Sequence, residues 1–461
     1  MPRSLRISIR PLGRVDPIQA FRRTLGRRAP FFLDSSLRDL ELARYSYLGA
    51  DPIGWFRARG PRAAYATPWG EASHRGDPIE TLEEFLDLLP TAQIGRPPYP
   101  FAGGLVGYFA YDLGRFIEPF ESNKGPDLAV PDIHLALYPR VTIVDHVWGE
   151  AFKLAPRERI RFDPPPIPDD LAVPEDPRPI EPLDRTAYLR TIEDAKDAIE
   201  AGQIFQVNLS HRLALPLDGT PADAYMRLRA RTPSTFGGYL DAGDHQILSA
   251  SPERFLRVEG RSVETRPIKG TRPRATSRAE DRGLAEELLE SPKDAAENVM
   301  IVDLERNDLG KVCEFGSVEV PVLRGLRSLP TVHHLESVVR GRLRKGVSVP
   351  DLLRATFPGG SITGAPKPRA MEIIDRLEPH RRGVYTGAFG YVSWNGSLDL
   401  NIAIRTATVI GDTAYFAVGG GIVADSDPAA EYQETLDKLR GHAEALTHGA
   451  VGVTPHGVRM G

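Results

Sequence analysis

Nine prolines crowd the stretch from Pro156 to Pro182, three of them consecutive at Pro164-Pro165-Pro166. Proline fixes φ and removes a backbone donor, so neither a helix nor a central strand can run through such a segment. The 461-residue chain is therefore read as two lobes. An amino-terminal lobe spans 1–155, a Pro-rich linker or crossing 156–183, a second lobe 184–448 and a tail 449–461.

The first lobe reads as mixed strands and loops. Gly103 to Phe109 and Thr142 to Val144 are strand candidates, and Thr81 to Leu89 a short amphipathic helix. After the crossing the signals sharpen. Tyr188, Ile192, Ala195 and Ile199 recur at helical spacing, so Asp184 to Ala201 is predicted helical, with Gly202 as its stop. Ile204 to Ser210 alternates like a strand, with Phe205, Val207 and Leu209 on one face. Strands follow at 251–258 and 263–268, helices at 278–290 and 293–307. The last third holds a helix over 350–357, a glycine-rich loop, a helix over 366–377, strands at 389–394 and 400–409, and a helix near 428–447. Strands and helices mixed on an irregular schedule predict an α+β fold rather than a doubly wound sheet.

Cys313 is the only cysteine. A disulfide within the chain and a thiolate metal site are both excluded, and Cys313 reads as a small packed residue. A formal net charge of -4 offers no basic face to nucleic acid or to an anionic membrane. Arg3, Arg6 and Arg10 interrupt the N-terminus, so no signal peptide is expected there. No window is apolar enough to span a bilayer. A cytoplasmic protein is the expectation.

Three constellations carry candidate chemistry. Asp294 and Glu297 sit at i, i+3 near the start of one predicted helix. Glu431 and Glu434 repeat that spacing near the start of another, with Lys438 one turn on. Oxygen ligands from two facing elements suit Mg²⁺; acidic first turns serve equally well as dipole and capping partners. Lys269 closes a strand beside glycine. Lysine becomes a nucleophile or base when desolvation or neighbouring cations favour its neutral form, and Arg266 and Arg272 are such neighbours. A solvated basic loop fits the same residues. Gly419-Gly420-Gly421 leads into the second acidic helix, and free amides there can hold a carboxylate or phosphate. A second glycine run spans Gly359 to Lys367. No Walker, dinucleotide, zincin or nucleophile-elbow motif is present. His333-His334 reads as ligands or as packed histidines.

Together these stretches resemble the chorismate-utilising enzymes, which include anthranilate synthase component I, aminodeoxychorismate synthase component I, isochorismate synthase and salicylate synthase. The matching segments are GQIFQVNLS (202–210), SPERFL (251–256), RPIKGTRPR (266–274), AENVMIVDLERNDLG (296–310), VHHLES (332–337), FPGGSITGAPKPRAMEII (357–374), YTGAFGY (385–391), NIAIRT (401–406) and GGGIVADSDPAAEYQETLDK (419–438). More loosely, Leu33 to Ser36, Arg44 to Pro52 and GGLVGYFAYDLGR (103–115) resemble that family's first lobe. The resemblance implies a two-lobed fold of large antiparallel β-sheets packed as a sandwich with outer helices, 184–448 being the chorismate-binding catalytic domain.

It also implies roles. Glu297 and Glu434 would bind Mg²⁺, with Asp294 and Glu431 behind them through waters. Thr271 and the amides of Gly420 and Gly421 would hold the ring carboxylate. Tyr391 and Arg405 would clamp the enolpyruvyl carboxylate, and His334 and Lys438 would line the pocket. Glu253 would be the general acid for loss of the C4 hydroxyl. Gln206 stands where isochorismate and salicylate synthases carry a water-activating lysine, and glutamine takes no proton. Lys269 stands where anthranilate synthases have alanine, and in aminodeoxychorismate synthases that lysine is held to attack C2 of chorismate. The implied activity is a transferase reaction for folate synthesis. It makes 4-amino-4-deoxychorismate, the p-aminobenzoate precursor, from chorismate and ammonia supplied by a separate glutamine amidotransferase subunit. Anthranilate synthase component I is the alternative. A non-catalytic tryptophan-binding regulator is the alternative of another class, since Ser36, Tyr45, Ser46, Tyr47, Pro233 and Phe236 resemble the family's tryptophan pocket.

Overall fold

The structure, a computed structural model, describes residues 4–37, 41–93, 99–122, 124–174, 184–329, 332–449, 451–454 and 457–460. Residues 175–183 of the proline-rich crossing, and 450, 455, 456 and 461 of the tail, lie outside them. Helices begin where capping chemistry puts them. Asp184 Oδ1 accepts from Ala187 N at 2.7 Å, Ser291 Oγ from Asp294 N at 3.2 Å and Asp427 Oδ1 from Ala430 N at 2.8 Å. The helices they open run Arg185–Glu200, Pro292–Gly310 and Pro428–Thr447.

Two large, almost wholly antiparallel sheets make an α+β molecule, each with twelve strands among the described residues. Each draws strands from both sides of the proline-rich segment. In the first sheet Phe236–Asp241 pairs with Phe31–Asp34. In the second, Ala388–Ser393 pairs with Gly104–Phe109. One buried core runs through segments from both sides, from Leu5 and Phe31 to Ile422 and Leu436. The described part of the crossing packs on a separate small cluster with Trp55, Ala64 and Ala66. Trp55 Nε1 donates to Pro165 O at 2.9 Å, and Leu171 is fully buried.

Two strand pairs change sheet, and they do so side by side. Gln246–Ser251 belongs to the first sheet and Arg254–Glu259 to the second; Thr406–Ile410 belongs to the first and Leu398–Ile402 to the second. The predicted single strand over 400–409 is therefore two strands, broken at Ala403–Arg405. Arg405 adopts φ +50° there, a left-handed conformation that ends the ladder. Val207 and Leu209 are fully buried, but Gln206 and Ser210 on the opposite face are buried too, so the strand is covered on both sides. Phe205, however, precedes the strand and is 72% exposed.

A buried arginine fastens the sheets to each other. Arg57 donates from NH1 to Asp244 at 2.5 Å and from NH2 to Asp244 at 3.1 Å and to Ala242 O at 3.1 Å. Burial works against the Asp244 charge, but His245 and Arg57 hold its carboxyl far below the usual range. Removing one partner of a buried ion pair leaves the other charge uncompensated. Arg57→Ala is expected to cost about 3–5 kcal/mol, read as a lowered denaturant midpoint in equilibrium unfolding.

Candidate active site

The strand Ile268–Pro273 pairs with Val332–Arg342, and its register slips between Ile268 and Thr271. The slip places Lys269 and Gly270 in a bulge. Gly270 has φ +87°, and a Cβ there would lie 2.9 Å from Leu288 and 3.1 Å from Asp294. A bulge bends its strand and re-aims a side chain. Lys269, 9% exposed, is turned onto the helix Pro292–Gly310, where its Nζ donates to Glu297 Oε1 at 2.7 Å. Gln206 Nε2 donates to the same oxygen. The sequence places two arginines beside Lys269 as cationic neighbours; in the structure carboxylates claim both. Arg266 is bound to Glu264, Glu336 and Glu41, and Arg272 to Glu287 and Asp294. The group that Lys269 meets is an anion.

Each carboxylate of the two acidic pairs has its own cation. Besides Lys269–Glu297, Lys438 Nζ lies 2.7 Å from Glu434, Lys293 Nζ 3.3 Å from Glu431, and Arg272 3.2 Å from Asp294. Burial opposes the charge of Glu297, but Lys269 and Gln206 hold its carboxyl below the usual range. Glu434 is likewise held down by Lys438 against its desolvation, and it feels the charge of Glu297 across the site. Glu431, buried, also accepts from Ser426 Oγ at 2.7 Å. The glycine run 419–421 is strand rather than loop, paired with 208–210. Beyond Phe416 it has no partner from Thr406–Ile410 on its other side, so alternate amides stay open there. A Cβ on Gly421 would lie 2.7 Å from Glu297 Oε1 and 2.5 Å from Gln206 Nε2. Only glycine lets the strand come this close.

Glu253 and Arg405 stand at the two places where strands change sheet. Burial pushes the Glu253 carboxyl up to about 7, against the opposing pull of Ser361, Lys269 and the Ile268 amide. No described residue pairs with the Arg405 guanidinium in a hydrogen bond or ion pair; Glu253 is the acid nearest to it electrostatically, and burial lowers its pKa. An arginine with its fork free suits a carboxylate. His334 shares a hydrogen with Thr271 Oγ1 at 2.8 Å, and burial, helped by Arg405, brings its ring down to about 3, so it is neutral. Lys438 also donates to Gly419 O at 2.9 Å, tying the acidic helix to the glycine strand.

Tyr391 is placed elsewhere. It lines a cavity of about 410 Å³ with Tyr45, Tyr47, Phe236, Arg257 and Asp399, and its ring stacks on Phe101 at 4.5 Å. Tyr385, six residues earlier and buried, adjoins Thr386, whose amide bonds Ala403 O at 2.9 Å near Arg405. Of the residues expected in a tryptophan pocket, Tyr45, Tyr47 and Phe236 line this same cavity. Ser46 alternates away and bonds His146 at 2.8 Å; Ser36 holds the Ser234 backbone; Pro233 is outside the lining.

Sequence reasoning missed Glu305. It is buried, its Oε1 accepts from Gly360 N at 2.9 Å, and its Oε2 has no hydrogen-bond partner among the described residues. Burial and Asp308 push its carboxyl up to about 8, and the charge of Glu253 reaches it. In the run VDLERND it reads as one charge of a solvated face, and no local signal marks it as buried.

The family model of chorismate binding enzymes matches residues 39–444. The chain belongs to the chorismate-binding enzyme family. Aminodeoxychorismate synthase component 1 of Salmonella typhimurium is 41% identical over 404 residues, covering 86% of this chain and 88% of the relative. Anthranilate synthase component 1 of Thermus thermophilus is 40% identical over 455 residues, covering 95% and 96%. Among solved structures, anthranilate synthase component I of Streptococcus pneumoniae superposes with a TM-score of 0.75 at 33% identity, covering 87% of this chain and 92% of that one. The isochorismate synthase MenF of Escherichia coli shares the fold, with a TM-score of 0.70 at 19% identity, covering 97% and 96%. Within this family the substrate of the chain is chorismate. No described helix is long and apolar enough to cross a membrane.

The donor set fits a hard divalent cation. Glu297 and Glu434 are electrostatically coupled acids, and the buried Gln206 Oε1 beside Glu297 has no partner. Among the described residues no three such groups converge on one point. Mg²⁺ can bind through one or two carboxylates and complete its shell with water and substrate.

In the general-acid role that the family resemblance implies, Glu253 must carry its proton. With its carboxyl at about 7, kcat/KM is expected to fall as pH rises through that value. Glu253→Gln is expected to lower kcat by about 10²–10⁴-fold, the usual share of general acid catalysis, and to remove that limb of the pH profile.

Proposed function

We propose that this chain is the synthase subunit that converts chorismate and ammonia to 4-amino-4-deoxychorismate in p-aminobenzoate and folate synthesis, with Lys269 as nucleophile. The observation that carries the reading is the lysine itself. It is buried on a bulge, with its amine 2.7 Å from an acid of the proposed metal pair. A product that forms by simple amination and elimination has no need of an amine there. The aminodeoxychorismate synthase and anthranilate synthase relatives lie at 41% and 40% identity, so identity does not separate the two products, and the reading rests on Lys269.

Glu297 and Glu434 would hold Mg²⁺, with Glu431 and Asp294 behind them. Bound there, Mg²⁺ would neutralise and orient the ring carboxylate of chorismate. The open amide of the pair 420–421 and Thr271 bind that same carboxylate. The free fork of Arg405 takes the enolpyruvyl carboxylate, with neutral His334 alongside. Lys269, once its ammonium has passed a proton to water, forms a bond from Nζ to C2. The ring double bonds shift, the C4–O bond breaks, and the hydroxyl leaves as water with the proton of Glu253. Ammonia then bonds to C4, the double bonds shift back, and the C2–N bond to Lys269 breaks. Two easier displacements replace one hard one. The enolpyruvyl ether is kept throughout. Gln206 cannot deprotonate water, which disfavours hydroxylation at C2.

Ammonia is mostly ammonium at neutral pH, so a glutamine amidotransferase subunit is the proposed source. Cys313, buried and raised to about 11 by desolvation, is no glutaminase nucleophile.

The purified protein, given chorismate, Mg²⁺ and ammonium, is expected to form 4-amino-4-deoxychorismate and no anthranilate fluorescence. Lys269→Ala is expected to lose amination with ammonium and with the partner alike. Anthranilate as the main product, or full kcat in Lys269→Ala, would overturn the reading.

A further inference from the structure

We propose that Lys269 and the divalent cation compete for one oxygen, Glu297 Oε1, so that loading the metal is the step that releases the lysine for reaction. The inference rests on the proposed metal role of Glu297 and deepens it. Glu297 Oε1 already accepts from Lys269 Nζ at 2.7 Å and from Gln206 Nε2, and the Gly421 backbone closes on the same oxygen. A magnesium ion bonds carboxylate oxygen at about 2.1 Å. At that distance it would stand within a few ångströms of an ammonium on the same atom, and two cations that close in a poorly solvated site repel strongly.

The other three cations of the acidic set have somewhere else to go. Lys438 is 40% exposed, Lys293 51% and Arg272 24%, so each can turn to water, whereas the Lys269 side chain is 10% exposed and its acid 13%. Lys269 is also fixed at its root by the bulge. Released from Glu297, it stays inside the pocket, where Glu253 is the next acid that senses its charge. Exchange of one cation for another at Glu297 keeps the buried carboxylate neutralised while moving the amine toward the residue that handles the leaving group. In this site the metal and the nucleophile are thus coupled through a shared ligand, and by linkage each weakens the hold of the other.

Metal affinity reads the exchange without turnover. Mg²⁺ titrated calorimetrically, or Mn²⁺ followed by its EPR signal, is expected to bind Lys269→Met about tenfold more tightly than wild type. Lys269→Arg, which keeps the charge, is expected to stay near wild type, and Glu297→Gln to lose the site. Equal or weaker binding by Lys269→Met, or binding by Lys269→Arg as tight as by Lys269→Met, would overturn the exchange. Should Lys269→Met not fold, labelling of wild type with an amine-directed acylating reagent decides. Mg²⁺ should raise modification of Lys269, and unchanged or lower modification overturns the proposal. The two readings fail separately. Tighter metal binding with amination intact keeps the exchange and sinks the nucleophile. Lost amination with unaltered metal affinity does the reverse.

Discussion

The site exists because two neighbouring strand pairs leave one sheet for the other at the same level. A strand that changes sheet must find new partners for its backbone at the corner. Here the corners satisfy each other. Ala250 N bonds Arg405 O and Ile402 N bonds Glu253 O, each at 3.0 Å, and Ser251 Oγ bonds Ile402 O at 2.6 Å. Glu253 and Arg405 are thereby held through their backbones at the seam between the two sheets. Groups that must hold a substrate to a fraction of an ångström belong on such elements rather than on free loops.

Around that seam the environments of like groups diverge. Burial keeps the Glu253 carboxyl near neutrality and Glu305 higher still, while Lys269 and Gln206 hold Glu297 ionised. The proposed proton donor and the proposed metal-binding carboxylates need opposite protonation states at one pH, and local partners supply the difference. The bulge at Lys269-Gly270 gives the same lesson for the cation. An ordinary strand would alternate Lys269 out of register with Glu297; one slipped residue brings the two together.

What was legible in the sequence was what depends on neighbours along the chain. Asp184, Ser291 and Asp427 mark helix starts because a cap acts within three residues. Val207 and Leu209 mark a buried face because strands alternate. The motif residues Glu253, Lys269, Glu297 and Glu434 stood out through resemblance, and the structure draws Lys269 to Glu297 and couples Glu434 to it. What was illegible depends on distant segments. Nothing between 400 and 409 announces a change of sheet, so one strand was expected where two exist. Tyr391 faces Tyr47 and Phe101 because of how its strand is flanked in the second sheet. Arg266 and Arg272 sit next to Lys269 in sequence, yet their partners Glu336 and Asp294 come from other elements. Glu305 takes its hydrogen bond from Gly360, a turn 55 residues away in sequence.

The most direct measurement is mass spectrometry of the protein quenched during reaction with chorismate and Mg²⁺ in the absence of ammonia. The account predicts a covalent adduct on the peptide that contains Lys269, at the mass of chorismate less water, discharged when ammonium is added. An enzyme that turns over with ammonium yet never carries that adduct, or carries it on another residue, would contradict it.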